Sequence, residues 1–183
     1  MQPEEQARLV IDGKLEQSGW TIQDMSKLNL TASLGVAVRE FPTSTGPVDY
    51  ALWQAFNDYA FQNTEFAKAF NKRKPTTHHW MDFSIGSSAC HISVLQIQKR
   101  NAIGVEFYIN DDKELFRSLF THKDDIESMM GITLDWRELP KRKASRIVIE
   151  KEVKFDDRDN WSQQFDYIMD VCMKMKNAFK KYL

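Results

Sequence analysis

Cysteine is scarce in this 183-residue chain: the two residues, Cys90 and Cys172, are both flanked by apolar neighbours and have no metal-ligand spacing. That usage points to free thiols in a reduced, cytoplasmic compartment. Long apolar runs are missing as well. Nothing approaches the roughly 20 residues needed to cross a bilayer, so no membrane role is expected. The opening MQPEEQARLV carries acids where a signal peptide carries bases. Excess charge of one sign is also lacking, with 25 basic residues against 26 acidic ones. A global pull toward nucleic acid or membrane is thereby excluded, and any such binding must come from a local patch. No Gly-rich phosphate loop, nucleophile elbow, internal repeat or low-complexity linker occurs, which argues against nucleotide hydrolysis.

Apolar residues make up 42% of the chain and aromatics 12%, enough for a packed core rather than disorder. The length suits one ordinary domain with an added N-terminal segment. Residues 3–18 read as a helix, with Pro3 at its first position, Glu4 and Glu5 at the positive end of the dipole and Gly19 closing it. Residues 35–41 alternate as a strand, and residues 48–52 read as a short second one. Leu52, Phe56, Tyr59, Phe66 and Phe70 then step by helical spacing, with only Asn63 interrupting the stripe, so residues 52–70 are expected to form one helix ending before Pro75.

Three alternating segments follow, at 79–85, 91–97 and 103–109. Their short connections imply antiparallel neighbours. In the third, Ile103, Val105, Phe107 and Ile109 form the inner face, with Glu106 and Tyr108 on the other. Asp111 with Glu114 reads as a capping box opening a helix to residue 120. A shorter helix at 123–130 stops at Gly131, and strands are expected near 133–136 and 146–153. A final helix carries Trp161, Phe165, Ile168, Cys172, Met175, Phe179 and Tyr182 down one face. The fold class is therefore α+β, an antiparallel meander sheet packed against helices, with an N-terminal segment of a helix plus short strands.

The stretch Leu34-Gly35-Val36-Ala37-Val38-Arg39-Glu40-Phe41-Pro42-Thr43-Ser44-Thr45-Gly46-Pro47-Val48-Asp49-Tyr50 resembles the N-terminal nuclease segment of type I restriction enzyme R subunits, a PD-(D/E)xK nuclease. The preceding PEEQARLVIDGKLEQSGW fits the same family, so the resemblance covers about residues 3–52. It implies that Asp49 occupies the position of the metal-binding aspartate, with Mg²⁺ as the cofactor of such a nuclease. The Glu-x-Lys strand that should follow is absent, because Trp53-Gln54-Ala55-Phe56 leads into a helix. The nuclease opening is thus truncated, and Asp49 is a vestigial candidate. Residues of about 53–183 resemble the prokaryotic domain-of-unknown-function family 4268. The resemblance rests on Phe56-Asn57-Asp58-Tyr59, Trp80, Gly104-Val105-Glu106-Phe107-Tyr108-Ile109, Leu134-Asp135-Trp136 and Lys143-Ala144-Ser145-Arg146-Ile147. It implies an accessory domain, 53–183, behind an incomplete nuclease-like segment, 1–52, in a restriction- or defence-associated protein.

Glu152-Val153-Lys154 has the Glu-x-Lys spacing and is a candidate partner for Asp49, weighed against a solvated strand end. Glu106 lies in a strand, but Tyr108 stands where the lysine should be. His78 and His79 are adjacent on a strand and so point to opposite faces, which does not suit one metal ion. The basic residues are better placed. Lys72-Arg73-Lys74, Lys99-Arg100 and Lys141-Arg142-Lys143 with Arg146 all fall at turns or element ends. Converging turns of that kind contact phosphates, and Trp80 or Tyr108 is suited to stack on a base. The plain alternative is a solubilising surface that blocks edge pairing. Three readings stay open: a catalytically incomplete accessory protein that binds DNA, RNA or a restriction-system partner without a cofactor; a Mg²⁺-dependent nuclease using Asp49; and an interaction module that homodimerises through its last helix.

Overall fold

The computed structural model describes residues 3–24, 35–39, 47–75, 78–155 and 158–183. The chain forms two compact units, Met1–Pro47 and Val48–Leu183. In the first, helix α1 (Pro3–Gln17) precedes strands β1 (Trp20–Asp24) and β2 (Gly35–Arg39), which pair in parallel. The sequence pattern anticipated α1 and β2 but not β1. Val10 and Ile11, part of the apolar stripe of α1, are exposed.

Helix α2 (Pro47–Ala60) replaces the expected strand at 48–52. Pro47 explains the change, since its fixed φ and missing N–H suit the first helical position. The apolar residues then continue as one helical face, with Leu52, Trp53, Phe56 and Ala60 all buried. The single helix expected over 52–70 is broken. Asn63 accepts hydrogen bonds from the Glu65 and Phe66 amides through its side chain and so begins a separate helix α3 (Thr64–Ala69).

The second unit is built on a five-stranded antiparallel sheet, ordered β3-β4-β5-β7-β6. It comprises β3 (Trp80–Ser84), β4 (Cys90–Ile97), β5 (Ala102–Ile109), β6 (Asp135–Arg137) and β7 (Ser145–Glu152). Between β5 and β6 lie α4 (Lys113–Thr121) and α5 (Lys123–Met130). Asp112 caps α4 by accepting from the Leu115 amide at 2.8 Å, so Asp111 is not the capping residue. Gly131 ends α5 at φ +65°, a conformation that disfavours side chains.

The last helix, α6 (Trp161–Lys180), packs on β4 and β5. Its stripe of Phe165, Ile168, Cys172, Met175 and Phe179 is buried in the core, and the Phe179 ring stacks on Phe107 at 4.2 Å between centroids. That burial answers the apolar face on which the dimer reading relied. A second aromatic cluster, in which Phe56 meets Phe66, Phe83 and Phe165 edge-on, ties α2, α3 and α6 to β3. With α6 covering one face of the sheet, period-two alternation sends the other residues of β3, β4, β5 and β7 to the opposite face. No helix among the described residues is long and apolar enough to cross a membrane.

Candidate functional site

The face turned away from α6 is unusually polar, and the strand register explains how its side chains meet. Ser84 opposes His91, His91 opposes Tyr108, Tyr108 opposes Arg146, and Arg146 opposes Arg137. One row along, Asp82 opposes Ser93 and Ser93 opposes Glu106. A third row carries Trp80, Leu95, Gly104 and Glu150. Neighbouring strands lie about 4.8 Å apart, so side chains within a row are in direct reach of each other.

Two cavities open on this face. The first, about 330 Å³, is lined by Trp80, Asp82, His91, Ser93, Glu106, Tyr108 and Arg146, with His79 and Leu95 at its border. The second, about 640 Å³, is lined by Tyr108, Arg137, Leu139, Arg142, Lys143, Ala144 and Arg146. Tyr108 and Arg146 border both, so the two form one groove. Aromatic rings stand along it: His78 stacks on Trp80 at 4.5 Å, and Tyr108 lies between the His91 ring at 5.0 Å and the Arg146 guanidinium at 5.3 Å.

Asp82, Ser93 and Glu106 line the first cavity from three adjacent strands. Ser93 donates its hydroxyl to Asp82 at 2.5 Å, and His91 Nε2 stands 3.6 Å from the same carboxylate. A serine nucleophile needs its proton held by a base such as histidine, whereas Ser93 is committed to Asp82. Burial pushes His91 down from its ordinary range. Asp82 works against that shift and Arg73 adds to it. Glu106 is pushed up by burial, against the opposing pull of Arg146 and Arg137. Among the described residues, no group of three His, Cys, Asp or Glu side chains is arranged to hold a metal ion.

The three basic clusters do not converge. Lys99 and Arg100 occupy a 3-10 turn (Gln98–Arg100) between β4 and β5, where Arg100 pairs with Glu150 at 2.9 Å. Residues 141–143 precede Ser145, at the other end of β7. Eight strand residues separate the two ends, about 24 Å at 3.4 Å per step. Lys72 pairs with Asp58 at 3.3 Å, Lys74 is exposed, and Arg73 Nε donates to the Asp82 carbonyl on the edge strand at 3.1 Å. Arg142 and Arg146, with Lys143 on Asp111 at 2.9 Å, are the predicted cations that reach the groove. Lys141 is exposed in the same loop.

Asp49 lies in the first turn of α2 and not on a strand. Its side chain is outside the described residues. Glu152 and Lys154 are exposed at the far end of β7, beside a shallow cavity of about 300 Å³ with Lys151, Asn160 and Gln163. Sequence reasoning singled out Trp80, Tyr108 and Arg146 but missed Asp82 and Ser93. It weighed Glu106 only for a Glu-x-Lys motif. The available signal was the polar alternation Asp82/Ser84, His91/Ser93 and Glu106/Tyr108, which shows three strands each sending polar groups to one side.

Fold and site thus define an α+β protein whose antiparallel sheet is sealed by helices on one face and carries a polar, aromatic-edged groove on the other. The chain belongs to the family described as domain of unknown function (DUF4268), whose model matches residues 50–183. No curated protein and no solved structure matches it.

Proposed function

We propose that the groove binds single-stranded nucleic acid and that the protein serves as an accessory module of the restriction or defence kind its opening resembles. One observation carries the reading: Tyr108 and Arg146 join a cavity edged by Trp80 to a second cavity bordered by Arg137, Arg142 and Lys143. Aromatic faces for bases beside guanidinium and ammonium groups for phosphates are the two components of single-strand binding. Arg142 is exposed and makes no ion pair among the described residues, so its charge is available without breaking another contact.

Such binding rests on counterion release and falls with salt, by about 0.7 of a log–log unit per phosphate contact on a single strand. Fluorescence anisotropy of a labelled single strand across a salt series tests it. Replacing Lys141, Arg142 and Lys143 together with Ala should weaken binding to every sequence and flatten the slope by up to about 2. A parent protein that binds no DNA or RNA at low salt overturns the proposal. So does a triple variant with an unchanged slope.

A further inference from the structure

Glu106 sits on the central strand of the sheet with its side chain only 3% exposed, yet it lines the first cavity. Among the described residues, no donor hydrogen-bonds its Oε2. Arg146 Nη1 is the neighbouring cation, at 3.5 Å, in an ion pair that leaves this oxygen without a hydrogen bond. Arg146 Nε is likewise buried without an acceptor. Ser93 faces Glu106 across the strand pair but donates its hydroxyl hydrogen bond to Asp82. A buried carboxylate oxygen with no donor and a buried guanidinium N–H with no acceptor are both costly. Side by side in a cavity, they call for a ligand edge that sets a donor beside an acceptor.

We propose that this cavity takes the Watson–Crick edge of a guanine, whose N1–H and 2-amino group donate to Glu106 while O6 accepts from Arg146. The assignment rests on the nucleic-acid reading for the strand but on Glu106 and Arg146 for the base. Guanine presents two adjacent N–H donors followed by a carbonyl, so the two carboxylate oxygens can each take one donor and leave the carbonyl to the guanidinium beside them. Adenine and cytosine each offer one amino group next to a ring nitrogen that accepts, so they give the carboxylate one donor where guanine gives two. Uracil and thymine place their N–H between two carbonyls, which a carboxylate repels. Trp80 edges the same cavity and supplies a ring of the kind on which a planar base stacks. At about 330 Å³ the space lies at the small end of ligand sites, which run from about 300 to 1,000 Å³.

The test uses the full chain and labelled single strands of thymine that carry either guanines, inosines or 1-methylguanines at the same positions. Inosine lacks the 2-amino donor, and 1-methylguanine lacks N1–H. The guanine strand is expected to bind on the order of ten-fold tighter than the other two, the discrimination a good bidentate pair provides. Glu106→Gln should abolish that preference. Displacement of the guanine strand by guanosine monophosphate and not by adenosine monophosphate would identify the free nucleotide as a sufficient ligand. A guanine preference without such displacement would place recognition within a strand.

Equal binding of the guanine and inosine strands overturns the inference and leaves the nucleic-acid reading standing. If guanosine monophosphate binds and no strand does, the guanine site stands and the nucleic-acid reading falls. If nothing binds, both fall. Should Glu106→Gln fail to fold by circular dichroism, the inosine comparison on the unaltered protein still decides the matter.

Discussion

Lys113, at the start of α4, donates from Nζ to the Ala144 carbonyl at 2.8 Å, across 31 residues of sequence. The same ammonium reaches the Leu139 carbonyl at 3.2 Å, Ser145 Oγ at 2.9 Å and the Glu138 carbonyl. Leu139 sits at φ +53°, a left-handed conformation uncommon for a residue with a side chain. One cation therefore holds the loop between β6 and β7 that carries Arg142 and Lys143 into the groove. Lys113→Met should cost about 2–3 kcal/mol in chemical denaturation, the scale of hydrogen bonds to a charged group. It should also speed amide exchange over residues 139–144. An unchanged denaturation midpoint would show the four contacts to be incidental.

Asn63 separates α2 from α3 by accepting from two amides. Asn63→Ala should lower stability by about 1 kcal/mol, the usual cost of losing such a cap. The aromatic cluster behind it should stay packed, which near-ultraviolet circular dichroism can check. A fully stable alanine variant would mean that the break between the helices is set by packing alone.

The Glu106 carboxyl is raised above its ordinary 4.5 by burial. Arg146 and Arg137 pull it down, and Asp82 and Glu150 add to the rise. The folded protein holds this proton more tightly than the unfolded chain does. The stability it contributes is therefore complete below pH 4.5 and lost as pH rises through the folded value. At neutral pH and without ligand, Glu106→Gln should melt at a higher temperature than the parent, and the gain should shrink as pH falls toward 4.5. A glutamine variant that melts lower at neutral pH would show that the Arg146 ion pair outweighs the cost of burial.

Cys90 and Cys172 are free and buried, and burial pushes both thiols up. Thiolate is the reactive form. Both residues should resist iodoacetamide in the folded protein and react in denaturant, as mass spectrometry of the labelled chain would show. Labelling of either thiol in the native state at the rate of a free cysteine would contradict the buried placement.

Wherever one periodicity ran uninterrupted, the pattern of residues carried the structure. The four-three stripe from Trp161 to Tyr182 became α6, and the alternation around Phe107 became the central strand. Boundaries that depended on a single hydrogen bond or ring were harder to read. Residues 48–52 alternate passably as a strand, but Pro47 starts a helix there. Asn63 looked like a blemish in one helix until its side chain proved to begin another. The capping box was expected at Asp111, and the loop conformation assigns the cap to Asp112 and the Lys143 ion pair to Asp111.

Sequence alone showed which strands alternate, and it singled out Trp80, Tyr108 and Arg146 without reading Asp82 and Ser93 as part of a site. The partnerships came only from tertiary structure, because strand register is a long-range property that no local pattern encodes. Pairing β4 with β5 sets Ser93 opposite Glu106, and pairing β5 with β7 sets Tyr108 opposite Arg146. That register buries a carboxylate beside a guanidinium with neither hydrogen-bonded to the other through Oε2 or Nε. It also sends the Lys99-Arg100 turn and residues 141–143 to opposite ends of the sheet. Charge counted along the chain could not distinguish one patch from two, because the length of an eight-residue strand separates them in space.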